Sequence, residues 1–407
     1  MRTRGKANDY AVVLGTDVNG LGHIRALGRE GVAVFGVFSA KDDESLGRCS
    51  RYCIPLQCRA DKSSRAQLLE CVVALSKGLP EKPVLFATSD YFVDFMSEHR
   101  EVLENYCYFN LPGAEILRTI SNKRLVGKAA AKFGVRYPET YELESPEVLK
   151  RLSHSLKYPC IIKPDDSYSV DFPGKTHIAR DREALMSFFG LHPHLIDKVL
   201  VQQVVPGKET GIVQCTGYID ARGNALQFCT VQKIHQFPPN YGIMTYGRTQ
   251  HLPVLVESTV AFLKSMGYTG FVSAEYKLNE QDGEYCLIEM NPRLPWYNAL
   301  FASAGVNLPM IYFLDHRRPA ETSSYCRRQR DDVSWMYFRN ELAGMLKRRS
   351  AGERIGLFGF VRAILRTRSF AYWSPSDPMP FVQSILAFVK WGAEKLLAGA
   401  GAHGRSD

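Results

Sequence analysis

Apolar and polar positions follow two different periods along this chain, and the arrangement changes from one region to the next. Between residues 9 and 112, apolar runs predict strands at Tyr10–Leu14, Val32–Phe38 and Pro83–Thr88. Stretches with helical period separate them, at His23–Glu30, Ser64–Ser76 and Tyr91–Glu104. Strand and helix in alternation predict βαβ units and a parallel sheet. From residue 121 onward the pattern becomes α+β with antiparallel strands. Ser121 is read as the cap of a helix running to Phe133 and closed by Gly134. Asp181 to Phe189 reads as a capped helix ended by Gly190. Strands are predicted at Tyr158–Lys163, Leu200–Val205, Gly211–Ile219 and Ala225–Ile234, the last two joined by an Asp220-Ala-Arg-Gly223-Asn turn. A helix over Pro253–Met266 leads into a second hairpin. The boundary between the two regions falls near residues 112 to 121.

After His316 the pattern changes again. Residues 334 to 347 and 354 to 366 read as helices with arginine-rich faces, followed by a loop at 374 to 380. A final helix, Phe381–Leu397, carries Phe381, Ile385, Leu386, Phe388, Val389 and Leu396. It is expected to pack on the body, with a membrane surface as the alternative. Residues 399 to 407 are expected to be disordered.

A length of 407 residues exceeds one ordinary core and implies two or three domains. Hydrophobic content of 45% and charged content of 23% are those of a soluble globular protein. The basic start, Met-Arg-Thr-Arg-Gly-Lys, is not followed by a signal-peptide pattern, and no apolar run is long enough to span a bilayer. The expectation is a cytoplasmic protein. The ten cysteines lack zinc spacing, and Cys49, Cys53 and Cys58 read as small buried hydrophobes in a reducing compartment. Most of the +9 net charge lies between Arg317 and Arg368, where thirteen Lys/Arg face five Asp/Glu. Charge alone fits nucleic acid, an anionic membrane surface, an acidic substrate or a solvated face.

The turn after the first strand, Gly15-Thr-Asp-Val-Asn-Gly20-Leu-Gly22, tests two nucleotide motifs and fails both. Leu21-Gly22 stands where a P-loop needs Lys-Ser/Thr, and Arg25 stands where a dinucleotide fingerprint needs its third glycine. The glycines are read instead as letting strand and helix meet closely.

The chemistry concentrates at residues 270 to 293. Two strand-like runs flank a turn at Asp282-Gly283, and they carry Glu275, Glu289, Asn291 and Arg293. With residues 279 to 283 as the loop, Leu278 pairs with Glu284, Glu275 with Leu287 and Ser273 with Glu289. That register puts both carboxylates and Asn291 on one face, the carboxylates on a diagonal. Like charges that close need a cation between them. Two carboxylates and an amide suit Mg2+, which also binds substrate phosphates.

Upstream, Lys163 ends an apolar strand, and a loop over 165 to 175 contains Pro173-Gly174-Lys175. Val201-Gln202-Gln203-Val204-Val205-Pro206-Gly207-Lys208-Glu209 follows. In that order, with Glu275 and Glu-Met-Asn-Pro-Arg, these residues resemble the ATP-grasp superfamily across residues 10 to 315. Gln232–Gly242, Asn291–Pro309 and Asp377-Pro-Met-Pro380 resemble its carboligase group, which contains D-aspartate ligase. The resemblance implies an α/β ATP-grasp fold: a Rossmann-like domain at 9–115, an ATP-grasp domain of two α+β subdomains at 116–316, and a basic, mainly helical region at 317–398.

It further implies ATP and Mg2+, or Mn2+ in its place. Lys123, Lys163 and Lys175 would hold phosphates. The Gln202–Val205 linker would meet adenine through backbone groups of Gln203 and Val205, and Glu209 would meet the ribose. Glu275, Glu289 and Asn291 would hold the metal, and Arg293 would clamp an acyl phosphate. Arg248, Trp296, Asn298 and Asp90 are candidates for the substrate pocket. The phosphate loop is poorer in glycine than in many relatives. The implied reaction joins a small carboxylate to an amine, with an amino acid on one side. The rivals are a bicarbonate-dependent carboxylase and a non-catalytic ATP binder with a basic surface. No nucleic acid is expected, and peripheral membrane contact would run through residues 354 to 397.

Overall fold

The computed structural model describes residues 8–39, 45–58, 64–165, 171–174, 176–239, 242–350 and 357–389. Its first sheet contains β1 (Tyr10–Leu14), β2 (Ala33–Ser39), β3 (Cys53–Cys58) and β4 (Val84–Ala87), all parallel, in the order β3-β2-β1-β4. Both faces of β1 are covered, which is why its sequence is an unbroken apolar run. β3 was not foreseen in the sequence; its six residues include Pro55 and Gln57, as suits an edge.

Several helix limits differ from the sequence reading. The first helix is Val18–Gly28, not His23–Glu30, because Asp17 caps it by accepting from the Gly20 amide at 3.0 Å. Gly15 before it has φ +92°, and a Cβ there would sit 2.5 Å from Thr88 Oγ1. The stretch from Tyr91 to Glu104 is two helices, Asp90–Glu98 and Arg100–Leu103, broken at His99. Ser121 closes the helix Ala114–Ser121; Asn122 is the cap of Lys123–Lys132. Asp181 does cap the helix Arg182–Leu191, which runs through Gly190.

The second sheet is small and antiparallel: β5 (Thr140–Glu142), β6 (Cys160–Pro164), β7 (His177–Ala179) and β8 (Val199–Gln203), in the order β5-β8-β6-β7. The third has seven strands: β9 (Ile212–Ile219), β10 (Ala225–Phe237), β11 (Ile243–Thr249), β12 (Gly270–Leu278), β13 (Tyr285–Asn291), β14 (Ser334–Met336) and β15 (Ser369–Phe370). Their order is β13-β12-β9-β10-β11-β14-β15. Residues 334–336 are therefore strand rather than helix, and the C-terminal part extends this sheet through β14 and β15. The helix there is Phe338–Ser350, followed by Leu357–Arg366.

Two buried clusters bind the first sheet to the third. One joins Val12, Leu14 and Phe95 to Val272, Ala274 and Met290; the other joins Ala11 and Val13 to Phe301, Ile311 and Trp335. The small sheet has a core of its own, with Ile162, Phe188 and Val201. The ten cysteines are all free, and burial pushes the Cys53 thiol up to about 12.

The last described helix covers residues 379–389, and residues 390–407, including the predicted tail, lie outside the described residues. In the described part of the predicted Phe381–Leu397 helix, Phe381 packs against Trp373 at 5.4 Å, while Ile385, Leu386 and Val389 are exposed; the rest of it lies outside the described residues. Among the described residues no helix is long and apolar enough to cross a membrane.

Candidate active site

The three sheets meet at a cavity of about 750 Å³. The hairpin β12–β13 forms one wall. Its register corrects the sequence reading: Glu275 lies opposite Glu289, and Ser273 opposite Asn291. A bulge at Ile288, between the Glu275–Glu289 and Tyr276–Leu287 pairs, causes the difference. The carboxylates face each other directly rather than on a diagonal, and the shared face is retained. β9 continues both rows, with Gln214 beside Glu275 and Thr216 beside Ser273.

Two neighbours act on Glu275. Gln214 Nε2 donates to Glu275 Oε2, and Lys233 Nζ lies 3.3 and 3.5 Å from its two oxygens. Burial works to raise the Glu275 pKa, but Lys233, the Gln214 hydrogen bond and Lys163 outweigh it and hold the carboxyl below its usual range. Glu289 is exposed to the cavity and has no ion pair among the described residues. Two opposed carboxylates with Asn291 on the same face form an all-oxygen donor set that fits Mg2+. Among the described residues no trio of His, Cys, Asp or Glu gathers here or elsewhere, so the set depends on the Asn291 amide.

Lysines enter from other elements. Lys163, on β6, donates to Gln202 Oε1 at 3.2 Å, and Gln202 Nε2 donates to Thr140 Oγ1 at 2.9 Å. Burial lowers the Lys163 pKa, and nearby Glu289 works against that. Lys123 Nζ lies 3.3 Å from the Pro164 carbonyl and also lines the cavity. At the other end Arg293 makes a bidentate pair with Asp90, 2.8 Å at both contacts, and reaches Asn291 Oδ1 at 3.4 Å. Asp90 opens the helix after β4, so the first sheet fixes the arginine of the third.

Residues 122–313 match the family described as carbamoyl-phosphate synthase L chain, ATP binding domain. Over those residues, a little under half of its length, the chain is similar to an ATP-grasp ATP-binding domain. D-aspartate ligase of Enterococcus faecium is 24% identical over 271 residues, 63% of this chain and 64% of that protein. The carbamoyl phosphate synthase large chain of Rubrobacter xylanophilus is 26% identical over 51% of this chain and 20% of that protein. This chain thus spans less than two thirds of either relative. Among solved structures, the biotin carboxylase domain of Hydrogenobacter thermophilus 2-oxoglutarate carboxylase, in complex with MgADP and bicarbonate, aligns with a TM-score of 0.62 at 15% identity, over 81% of this chain and 74% of that one. An L-amino acid ligase from Bacillus licheniformis aligns at 0.56 and 15% identity, over 79% and 78% of the two chains.

Within the ATP-grasp frame the remaining sequence-predicted residues divide. Gln203, Val205 and Glu209 line the cavity, but the Gln203 amide already donates to the Glu139 carbonyl at 2.9 Å. The Gln202 side chain orients Lys163, a role the sequence reading did not give it. Trp296 lines the cavity and packs on Trp335 and Tyr337. Lys175 lies outside the described residues.

Two substrate candidates are corrected. Arg248 is on β11, away from the cavity, bonded to Gln232 and Asp332. Asn298 is buried and outside the cavity lining, donating to the Asn19 carbonyl at 2.9 Å. A Cβ on Gly22 would sit 1.9 Å from Asn298 Oδ1, so that glycine serves the close approach of these two segments. Asp90 remains in the cavity wall, but as the partner of Arg293.

Sequence reasoning missed Lys233, Gln214 and Tyr297. Lys233 left a signal: it follows buried Val231 by two residues on a strand, which puts a lysine on a covered face. Tyr297 had none. It lines the cavity, almost wholly buried, and burial first, then Glu275, raises its hydroxyl pKa well above the usual value.

Proposed function

We propose that this protein is a carboxylate–amine ligase using Mg·ATP. The observation carrying this reading is the placement of Arg293, fixed by Asp90, beside the opposed carboxylates Glu275 and Glu289 at the end of a lysine-lined cavity. A carboxylate oxygen of the acid substrate attacks the γ-phosphorus; the bond to the β-phosphate oxygen breaks and ADP leaves. The amine then attacks the acyl carbon of the acyl phosphate, loses a proton and expels phosphate. Lys123 and Lys163 hold phosphate oxygens, and Lys233 stands within reach of the transferred group. Glu275, Glu289 and Asn291 would hold Mg2+, which supplies neutralisation of the phosphoryl charge. Arg293, oriented by Asp90 through Nε and Nη2, meets the acyl phosphate through Nη1. The likeness to D-aspartate ligase and to an L-amino acid ligase supports an amino acid as one substrate.

The test is ADP release from Mg·ATP with a panel of amino acids supplied as acid and as amine, with the amide identified by mass spectrometry. Glu289→Gln should lower turnover at least about 100-fold, since even outer-shell partners of a metal cost up to that much. Unchanged turnover would overturn the metal assignment. ADP release that requires bicarbonate and no organic acid would replace the ligase with a carboxylase.

A further inference from the structure

Among the described residues, most large apolar side chains that are exposed lie in one stretch, from Phe338 to Val389. In the helix Leu357–Arg366, Phe360 points inward against Phe338, while Phe358, Val361 and Leu365 face out. Phe358 is 81% and Leu365 80% exposed. Their spacing of three and seven residues places all three on one stripe, flanked by exposed Arg362 and Arg366. The helix at residues 379–389 holds no charged residue and adds a second exposed apolar group. Val382, Ile385, Leu386 and Val389 are spaced by three, four and seven and are exposed. A helix that turns its apolar stripe to the outside has no reason to do so in water.

The charges around these stripes have one sign. From residue 342 to 389 the acids are Glu353 and Asp377, and Asp377 is wholly buried against Arg25. Exposed Lys347, Arg349, Arg362, Arg366 and Arg368 accompany the apolar residues. Short helices with an outward apolar stripe, arginine flanks and too little length to span a bilayer have the properties of interfacial anchors. We propose that this C-terminal face docks on an anionic lipid bilayer. The apolar stripes enter the headgroup boundary and the arginines pair with anionic headgroups. Docking involves no residue of the cavity, so it stands or falls independently of the ligase reading.

The experiment is co-sedimentation of the full chain with vesicles of phosphatidylcholine alone and of phosphatidylcholine mixed with phosphatidylglycerol. The protein should sediment with the mixed vesicles only, and less as salt is raised. Phe358→Asp with Leu365→Asp should weaken this binding about a hundredfold or more, from the burial of two large side chains. Ile385→Asp with Leu386→Asp should do the same. Arg362→Glu with Arg366→Glu should weaken it and flatten its salt dependence. All three variants should bind Mg·ATP as the wild type does, which shows that they fold. No sedimentation with anionic vesicles, or equal sedimentation by the aspartate variants, overturns the proposal. So does a dimer in sedimentation velocity that the aspartate variants dissolve, because a second copy of the chain would then be the occupant.

Discussion

Lys233 beside Glu275 is an ion pair taken almost out of water, with side chains 6% and 13% exposed. Removing one partner of such a pair leaves an uncompensated charge and costs about 3–5 kcal/mol. Lys233→Met should lose stability of that order at neutral pH in urea unfolding. The pH dependence follows from the direction of the Glu275 shift. Its folded pKa lies below the unfolded value, so its contribution is present above the unfolded pKa and is lost as pH falls through the folded one. In Lys233→Met burial dominates, the carboxyl pKa rises, and protonation relieves the buried charge. The stability gap between the two proteins should therefore narrow from pH 7 toward pH 4; a constant gap would show that Lys233 acts by packing alone. Asp90 gives a second residue-scale test. Asp90→Asn removes the charge that aligns Arg293, and misplacement at a reacting centre costs about 100-fold. kcat should fall by about that much with the Kd for ATP unchanged; weakened ATP binding would instead place Asp90 at the nucleotide. Motif residues were legible because their types and order are sequential facts. The partners of Glu275 and Arg293 were not, because Lys233 lies 42 residues from one and Asp90 203 from the other.

At the scale of elements, alternation correctly put Glu275, Glu289 and Asn291 on one face, yet the register was off, since a bulge at Ile288 leaves no mark in an apolar run. β11 and β14 were missed for a related reason. β14 gains its stability from pairing across a long sequence separation, as Trp335 with Gly247, and β11, though paired with neighbouring β10, carries a glycine and polar residues that weaken its local pattern. Arg25 illustrates the converse. In the sequence it only spoils a glycine fingerprint; in the fold it anchors the C-terminal loop. Its Nε donates to Asp377 Oδ2 at 2.9 Å and its Nη2 to the Tyr372 and Asp377 carbonyls, while Ser50 and the Arg51 amide also donate to Asp377. Side-chain exposure of 4% and 0% makes this pair fully interior. Asp377→Ala should cost about 3–5 kcal/mol. The double variant with Arg25→Met should lose less than the sum of the two single losses, and additivity in that cycle would show that the residues act separately.

The molecule as a whole is divided by its cores. The first and third sheets share two buried clusters, whereas the small sheet encloses Leu143, Ile162, Phe188 and Val201 in a cluster of its own. Units with separate cores unfold with separate free energies. The cavity takes Lys163, Gln202 and Gln203 from the small sheet and Glu275, Glu289 and Asn291 from the large one, so a nucleotide held there bridges the two units. A ligand that binds only the assembled state stabilises it by about 2.7 kcal/mol at a hundredfold excess over its Kd. Calorimetry of the free protein should therefore resolve two transitions, the lower one from the small-sheet unit. Saturating Mg·ATP should raise that lower transition toward the upper one. ATP with the metal chelated should raise it less, because Glu275 and Glu289 then oppose the phosphates without a cation between them. In Glu289→Gln the difference between ATP with and without Mg2+ should vanish. A single transition in the free protein would mean that the small sheet is coupled to the rest by contacts outside its own core. A lower transition unmoved by Mg·ATP would mean that the nucleotide does not span the two units.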